Sequence, residues 1–358
     1  MPGCSRWSFA WAHEYLEAHP DVLRAPVSRS SLHRLLNAHA LKPHKRRYFL
    51  QICDPLFFEK MERIIALYQE PPEYLFCLDE CTGVQALERV APAMLSRDKT
   101  RHLEFEYIRH GAVSFFSVLR VATGKVFTEC IDDHTSSTIC GCIKRHVHQQ
   151  PVSAQLHYIA DNYGSHSTEE ICQTVAELSA VTLPKLDTAT KRREWLNSSE
   201  KRIVFHFLPT HGSWLNLVEI WFMLVNQKAI KDVSVRSKTE LRVRVLGFGE
   251  TWNDMFCHPF HFSYKGEGLH EKVLGRFTTW LQMESPDLNA KFFGKQLNLM
   301  ANMANSYWTK VTSNAWKQLA AILQDKNPFL KTIINEDQKL DLLLLRLKEL
   351  ITANLEAS

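Results

Sequence analysis

Asp79, Asp161 and Glu219 are the acids of this sequence whose setting is hardest to explain as ordinary surface charge. Asp79 closes the apolar and aromatic run from Tyr74, and Asp161 follows the run Gln155 to Ala160, so each carboxylate is delivered to the end of an expected strand at the rim of a sheet. Glu219 falls on an expected helix, about Leu217 to Ala229, whose inner face is otherwise Leu215, Val218 and Phe222. Carboxylates held close together stay ionised only where a cation neutralises them. Hard oxygen ligands from separate elements suit magnesium, which takes few carboxylates and keeps several waters. Two such ions about 4 Å apart activate a nucleophile and stabilise a leaving oxygen in an in-line displacement at phosphorus. No Gly-rich loop with a Lys is present to cradle phosphates, so no nucleotide cofactor is expected. Taken singly, each acid has a plainer reading. Glu219, three residues after Asn216, would be a capping-box acid, Asp161-Asn162 a strand-ending turn, and Asp79-Glu80 a surface pair. On strand, strand and helix in that order, the set favours catalysis.

The positioning elements follow from apolar spacing. Leu56 to Tyr68 reads as an amphipathic helix ended by Glu70-Pro71-Pro72. The strand at Tyr74 and the alternation of Glu104 to Glu129 around Gly111 and the Thr123-Gly124 turn read as a three-stranded meander. His134 to His148 is an expected helix. After the Asp161 strand, Ser167 and Glu170 stand at capping-box spacing before a helix with Ile171, Val175 and Leu178 inward. The polar segment 184 to 202 is expected to be an irregular insertion, Ile203 to Leu208 a strand, and Ser213 or Asn216 the cap of the Glu219 helix. Such alternation is the pattern of a mixed α/β sheet flanked by helices. Beyond residue 270 the chain reads as helical, closing on the stripe Leu340, Leu343, Leu344, Leu347, Leu350, Ile351 and Leu355, with Asn335 and Gln338 as candidate caps. Such a stripe is either a dimer surface or is buried against its own domain.

Residues 7 to 40 form a smaller helical unit. Trp7, Trp11, Tyr15 and Leu16 recur at helical spacing, Pro20 to Pro26 breaks the pattern, and Ser28 is positioned to cap Arg29 to Asn37. Leu32, Leu35 and Leu36 then face inward, and Arg29, Ser30, His33 and Arg34 outward. Helix, turn and helix with that outer face is the layout of a major-groove reader; an ordinary helical hairpin fits the spacing equally well. The basic stretch from Lys42 through Lys45, Arg46 and Arg47 would track phosphates.

Bulk composition excludes other classes. At 358 residues, with 45% hydrophobic and 23% charged residues, the chain suits two or three globular domains. A net charge of +4 is too mild to announce nucleic acid, so local clusters carry that argument. Nine irregularly spaced cysteines suit buried thiols in a reducing compartment. Neither a membrane-spanning run nor a signal-peptide core is legible, so an intracellular, cytoplasmic and nucleoid-associated protein is expected, without a membrane partner.

The stretches Leu78 to Arg89 (Leu-Asp-Glu-Cys-Thr-Gly-Val-Gln-Ala-Leu-Glu-Arg), Glu104 to Gly111, Ala160 to His166 (Ala-Asp-Asn-Tyr-Gly-Ser-His) and His211 to Glu219 (His-Gly-Ser-Trp-Leu-Asn-Leu-Val-Glu) carry a resemblance. With His258-Pro259-Phe260 and Gly266 to His270, they resemble bacterial insertion-sequence transposases of the mariner-like branch. That family lies within the transposases and retroviral integrases built on a ribonuclease H-like fold. The resemblance implies that Asp79, Asp161 and Glu219 are both catalytic residues and ligands of two Mg²⁺ ions, for which Mn²⁺ can substitute. It maps Asn162 and His166 as supporting residues, a buried structural role for His166 being equally open, with Asn216 beside them. The implied partners are double-stranded DNA, namely terminal inverted repeats and target DNA at a TA step, and a second copy of the chain on that DNA.

The expected layout is a partial helix-turn-helix unit with a basic linker (1–47), a connecting helix (48–72), a ribonuclease H-like DDE catalytic domain (73–270) and a helical extension (271–358). The sequence departs from the family pattern in three ways. The 57 residues between Asp161 and Glu219 exceed the usual mid-thirties, Cys81 stands where Lys is common, and one helix-turn-helix unit replaces two. The competing readings are a catalytically silent or domesticated inverted-repeat binder and a simple ribonuclease H-like nuclease.

Overall fold

The computed structural model describes residues 8–23, 25–38, 52–282, 290–324, 330, 334 and 337–357. Its chain forms two compact units, Met1–Gln51 and Ile52–Ser358. In the first, α1 (Phe9–Ala18) packs on α2 (Arg29–Ala38). Serines cap both helices: Ser8 Oγ accepts from Trp11 N at 3.2 Å and Ser28 Oγ from Ser31 N at 3.1 Å, each satisfying a first-turn amide. The inner face is narrower than the sequence suggests. Leu32 is buried and Leu36 half-buried, but Leu35 is 52% exposed, because a single partner helix covers only part of the stripe. Trp7 and the stretch Lys42 to Arg47 lie outside the described residues.

The second unit is built on a five-stranded sheet of order β5-β4-β1-β6-β7. Its strands are β1 (Leu75–Arg89), β4 (Tyr107–Arg120), β5 (Val126–Ile131), β6 (Leu156–Ala160) and β7 (Ile203–Phe207). β1, β4 and β5 form the antiparallel meander; β6 and β7 run parallel to β1, the arrangement of a ribonuclease H-like fold. Leu75 to Leu78 are all buried because β1 is covered on both faces, which explains their continuous apolar run. Leu75 and Cys77 face a core that includes Phe57, Met61 and Trp221, while Phe76 and Leu78 face one that includes Ile139, Tyr158 and Phe205.

β1 runs ten residues beyond Asp79, where the sequence suggested an end. Irregularities after Cys81 and Gln85 let the ribbon continue, and Gly83 supplies a left-handed φ of 69° there. The small hairpin of β2 (Met94–Leu95) and β3 (Arg101–His102) gave no sequence signal.

α4 (Ser136–His148), α5 (Glu169–Ser179) and α6 (Ala189–Asn197) cover one face of the sheet. α3 (Phe57–Gln69), α7 (Val218–Leu224) and α8 (Lys238–Thr251) cover the other. Segment 184–202 is therefore not wholly irregular: it holds α6, capped by Thr188, whose one fully buried side chain, Leu196, leaves no stripe to read. Thr168, rather than Ser167, caps α5, accepting from Ile171 N at 3.3 Å. α7 carries no side-chain cap. Ser213 begins a 3₁₀ turn, and beyond Leu224 the helix widens into a π-helical Val225–Ile230.

The C-terminal helices α9 (Leu269–Leu281), α10 (Ala290–Ser306), α11 (Ser313–Gln324) and α12 (Gln338–Glu356) complete the unit. Leu340, Leu344, Leu347 and Ile351 are buried against the same chain, chiefly α10, whose Gly294 admits the Leu340 side chain. The stripe thus packs within the chain rather than facing outward. Asp337 caps α12, accepting from Lys339 N at 2.9 Å; Asn335 lies outside the described residues. No described helix is long and apolar enough to cross a membrane.

Buried His146 illustrates the polar demands of this core. It packs against Phe76 and Phe127 with Nδ1 2.8 Å from Tyr158 Oη, and burial holds its pKa down to about 4. The folded ring stays neutral while the unfolded ring titrates near 6.5, so its stabilisation is complete above that pH and is lost as pH falls toward 4. Between pH 7.5 and 4.5 this one group should cost the fold about 2 to 3 kcal/mol. Urea melts of the protein and His146→Gln at both pH values check this: the variant should lose correspondingly less, and equal losses would remove His146 as the cause.

Candidate active site

The parallel register of β1 and β6 pairs Leu75 with His157 and Cys77 with Ile159. Carried two residues further, it sets Asp161 beside Asp79, where β6 has ended and β1 continues against β4. Glu219 reaches the same place from the first turn of α7. Buried Asn216 fastens that turn to the sheet: its Nδ2 donates to Leu78 O at 3.0 Å and stands 3.5 Å from Asp79 Oδ2. From α3, Tyr68 Oη donates to Leu215 O at 2.7 Å and fixes the approach to the same helix.

The three acids act on one another electrostatically. Burial and then the Asp161 charge push Asp79 up to about 7, against a hydrogen bond from Glu80 N at 2.8 Å. Glu219 is raised by burial and then by Asp161, and Cys81 is pushed up to about 11 by burial, then by Glu219 and Asp79. Asp161 behaves differently. Burial raises its pKa, but the hydrogen bond and charge of His166, the Tyr163 amide at 2.8 Å and the Arg193 charge together bring it below the usual range.

His166 is fully enclosed between two carboxylates. Its Nε2 lies 2.9 Å from Glu80 Oε1, and its Nδ1 lies 2.7 Å from Asp161 Oδ1. Burial lowers its pKa, yet bonds to Asp161 and Glu80 outweigh that and lift it to about 10, so the ring carries a positive charge.

Among the described residues no three His, Cys, Asp or Glu side chains close to metal-binding distance. The charge and donor set nevertheless suit a divalent cation. Among the described residues the polar contacts to Asp161 fall on Oδ1, leaving Oδ2 for a ligand, and Asn216 Oδ1 is buried with no partner; burial, and then the charge of Asp161, make Asp79 hard to ionise without a counter-charge.

The structure brings Asp79, Asp161, Glu219, Asn216 and His166 to one end of the sheet. Asn162 serves the backbone there: its side-chain amide donates to Leu208 O, tying the exit of β7 to the Asp161 loop. Two of the plainer readings fail. Glu80 is no surface acid, its side chain being 6% exposed against His166, and α7 has no capping box for Glu219 to complete. The turn reading of Asp161 holds in part, since Oδ1 accepts from Tyr163 N. Glu80, Arg192 and Arg193 escaped sequence reasoning. Strand alternation puts Glu80 on the opposite face from Asp79, a signal that was present, whereas the basic run Lys191 to Arg193 shows in the sequence only as a charge cluster, with nothing local to name its partners. Arg29, Ser30, His33 and Arg34 are exposed on α2, with an Arg34 guanidinium nitrogen 3.3 Å from Ser31 Oγ and the His33 ring edge-on to Phe9.

The sheet order, with acids clustered where its central parallel strands end, is that of a ribonuclease H-like fold. Residues 74–242 match the model of the DDE superfamily endonucleases. Among solved structures the chain is similar to the Mos1 strand transfer complex at 11% identity, covering 71% of this chain and 72% of that one, with a TM-score of 0.39. It is also similar to the Mos1 transposase paired-end complex with the left transposon end, at 10% identity over 70% and 78% of the two chains, TM-score 0.32. A third likeness is to the Mos1 mariner paired-end complex with Mn, at 12% identity over 69% and 72%, TM-score 0.31. No curated protein matches the sequence.

Proposed function

We propose that this chain is a mariner-like DNA transposase that cleaves transposon ends and joins the freed 3′ hydroxyl to target DNA at a TA step. The observation that carries the reading is the convergence of Asp79, Asp161 and Glu219 from β1, the end of β6 and α7, in a segment that matches the model of the DDE superfamily endonucleases. These acids would hold two Mg²⁺ ions, or Mn²⁺ in their place. When bound, the ions supply an activated water or hydroxyl and a counter-charge for the leaving oxygen. His166 holds Asp161 through Oδ1, which would leave Oδ2 to a cation, while Asn216 sets Asp79 against the Glu219 turn. Glu219 is solvent-exposed although neighbouring atoms partly desolvate its carboxylate, so a DNA strand would have access to the acids from that side. The chain would act on double-stranded DNA as a homodimer at the nucleoid.

In this reading the α2 face with Arg29, Ser30, His33 and Arg34 enters the major groove and Lys42, Lys45, Arg46 and Arg47 follow phosphates; base contacts specify and phosphate contacts position. Arg34→Ala should lose preference for the cognate end, by about 1 to 3 kcal/mol of discrimination, whereas Lys45→Ala should weaken all duplexes alike and flatten the salt dependence. Binding titrations on cognate and random duplexes at several salt concentrations separate the two. Parent-like binding by both variants would withdraw the assignment.

The enzymatic reading is tested by nicking of a duplex that carries the element's own ends. It should require Mg²⁺ or Mn²⁺ and leave a 3′ hydroxyl at the transposon end. Tight end binding with no nicking in either metal would favour the silent inverted-repeat binder.

A further inference from the structure

The surplus chain between Asp161 and Glu219 packs against the loop that presents Asp161. α6 lies along β7, the edge strand of the sheet: Leu196 is fully buried, and Asn197 Nδ2 donates to Phe205 O at 2.8 Å, satisfying a carbonyl that the edge would otherwise leave open. The preceding turn of the helix reaches back to residues 162–167. Arg192 Nε donates to Ser167 O at 2.8 Å, and Arg193 donates from Nε to Ser167 Oγ and from a terminal nitrogen to Asn162 O, both at 3.3 Å. Both arginines thus bond oxygens of the loop itself. Arg193 also lies over the Phe207 ring at 5.8 Å, and its charge is felt at Asp161.

We infer that α6 is a brace, in which Arg192 and Arg193 act as positioning residues that clamp the Asp161–Ser167 loop and so set the orientation of the Asp161 carboxylate for the metal. The inference rests on the proposed function and deepens it. Two donors of the Arg193 fork meet two points of one loop, Asn162 and Ser167, on either side of His166, which in turn holds Asp161 Oδ1. A planar guanidinium makes such a two-point bridge; the single ammonium of Lys does not. Loosening the clamp leaves the acids in place but lets the loop sample orientations in which Oδ2 turns away, so affinity for the cation falls before the chemistry does.

The test compares the full-length protein with Arg193→Ala, Arg193→Lys and Lys191→Ala, the last altering an exposed neighbour on the same helix. Three quantities are read: Mn²⁺ affinity by calorimetry, amide exchange across residues 162–167 by mass spectrometry, and nicking of end DNA against Mn²⁺ concentration. Arg193→Ala should bind Mn²⁺ about tenfold more weakly, a shift of about 1.4 kcal/mol, and exchange faster in the loop. Its nicking rate should recover to within about threefold of the parent at saturating Mn²⁺, with end binding and melting temperature little changed. Arg193→Lys should resemble the alanine variant in exchange, and Lys191→Ala should resemble the parent throughout. Parent-like Mn²⁺ affinity and exchange in Arg193→Ala would overturn the brace. So would weakened end binding with unchanged Mn²⁺ affinity, which would make Arg193 a DNA contact, or full restoration of affinity and exchange by lysine, which would leave only its charge. Faster loop exchange in Arg193→Ala, in a parent that binds no Mn²⁺ and nicks nothing, would overturn the metal-enzyme reading while leaving the clamp on the loop supported.

Discussion

Asp79→Asn, Asp161→Asn and Glu219→Gln should each abolish divalent-metal-dependent cleavage of end DNA, a fall of a thousandfold or more, while the fold and end binding persist. The cause is electrostatic. Neutral isosteres keep shape and much of the hydrogen bonding but remove the charge that holds a cation. A thousandfold corresponds to about 4 kcal/mol of lost transition-state stabilisation, the scale expected when the counter-charge at the leaving oxygen disappears. Stability should move the other way at Asp79. Burial and the neighbouring Asp161 hold its pKa at about 7, so at pH 8 without metal the ionised carboxylate is carried at a cost that asparagine avoids. Metal-free Asp79→Asn should therefore melt a few degrees above the parent. The measurement is paired, melting temperature beside nicking by an active parent. Retained nicking in any of the three variants would take that residue out of the site, and an acid that merely ended a strand would show lost stability with turnover intact.

A chain ending at residue 336, and so lacking α12, should lose more stability than any single substitution discussed above. Leu340, Leu344, Leu347 and Ile351 are all at or below 3% exposure, so the deletion uncovers four core side chains together with the α10 surface beneath them. At about 1.5 to 3 kcal/mol for each buried aliphatic side chain, the gross loss is about 6 to 12 kcal/mol, offset in part by the ordering entropy of a helix that no longer forms. That approaches the whole stability of an ordinary domain. A melting temperature lowered by more than ten degrees, with sedimentation at low concentration showing the parent's oligomeric state, is the expected pair of results. A dimeric parent turned monomeric at an unchanged melting temperature would restore the stripe as an intersubunit surface.

What was legible in the sequence was written in local chemistry. Apolar runs gave β1, β6 and β7 their places because buried strands must be continuously hydrophobic, and the acids following two of them stood out as charge delivered to a sheet rim. Ser28 announced its helix through a cap that needs only three neighbouring residues. The motifs around Asp79, Asp161 and Glu219 carried the family resemblance, and the family match over residues 74–242 agrees with it.

Tertiary structure decided whatever depended on partners distant in sequence. Asn216 reads locally as a helix cap, yet its amide bonds Leu78 across 138 positions of chain, because a buried amide takes the donor or acceptor that packing brings to it. Glu80 reads as a surface acid until His166 arrives from 86 positions away to enclose it. The leucine stripe of α12 had two possible partners, and periodicity says only that a helix face must be covered, never by what; α10 is what covers it. α6 had almost no apolar pattern because it is anchored by one leucine and by hydrogen bonds to an edge strand, and such bonds leave no period in a sequence. The sequence by itself singled out the three acids and the elements that carry them. Only the fold decided which carboxylate oxygens are free and what holds them there, because those are properties of contacts between segments that no local pattern records.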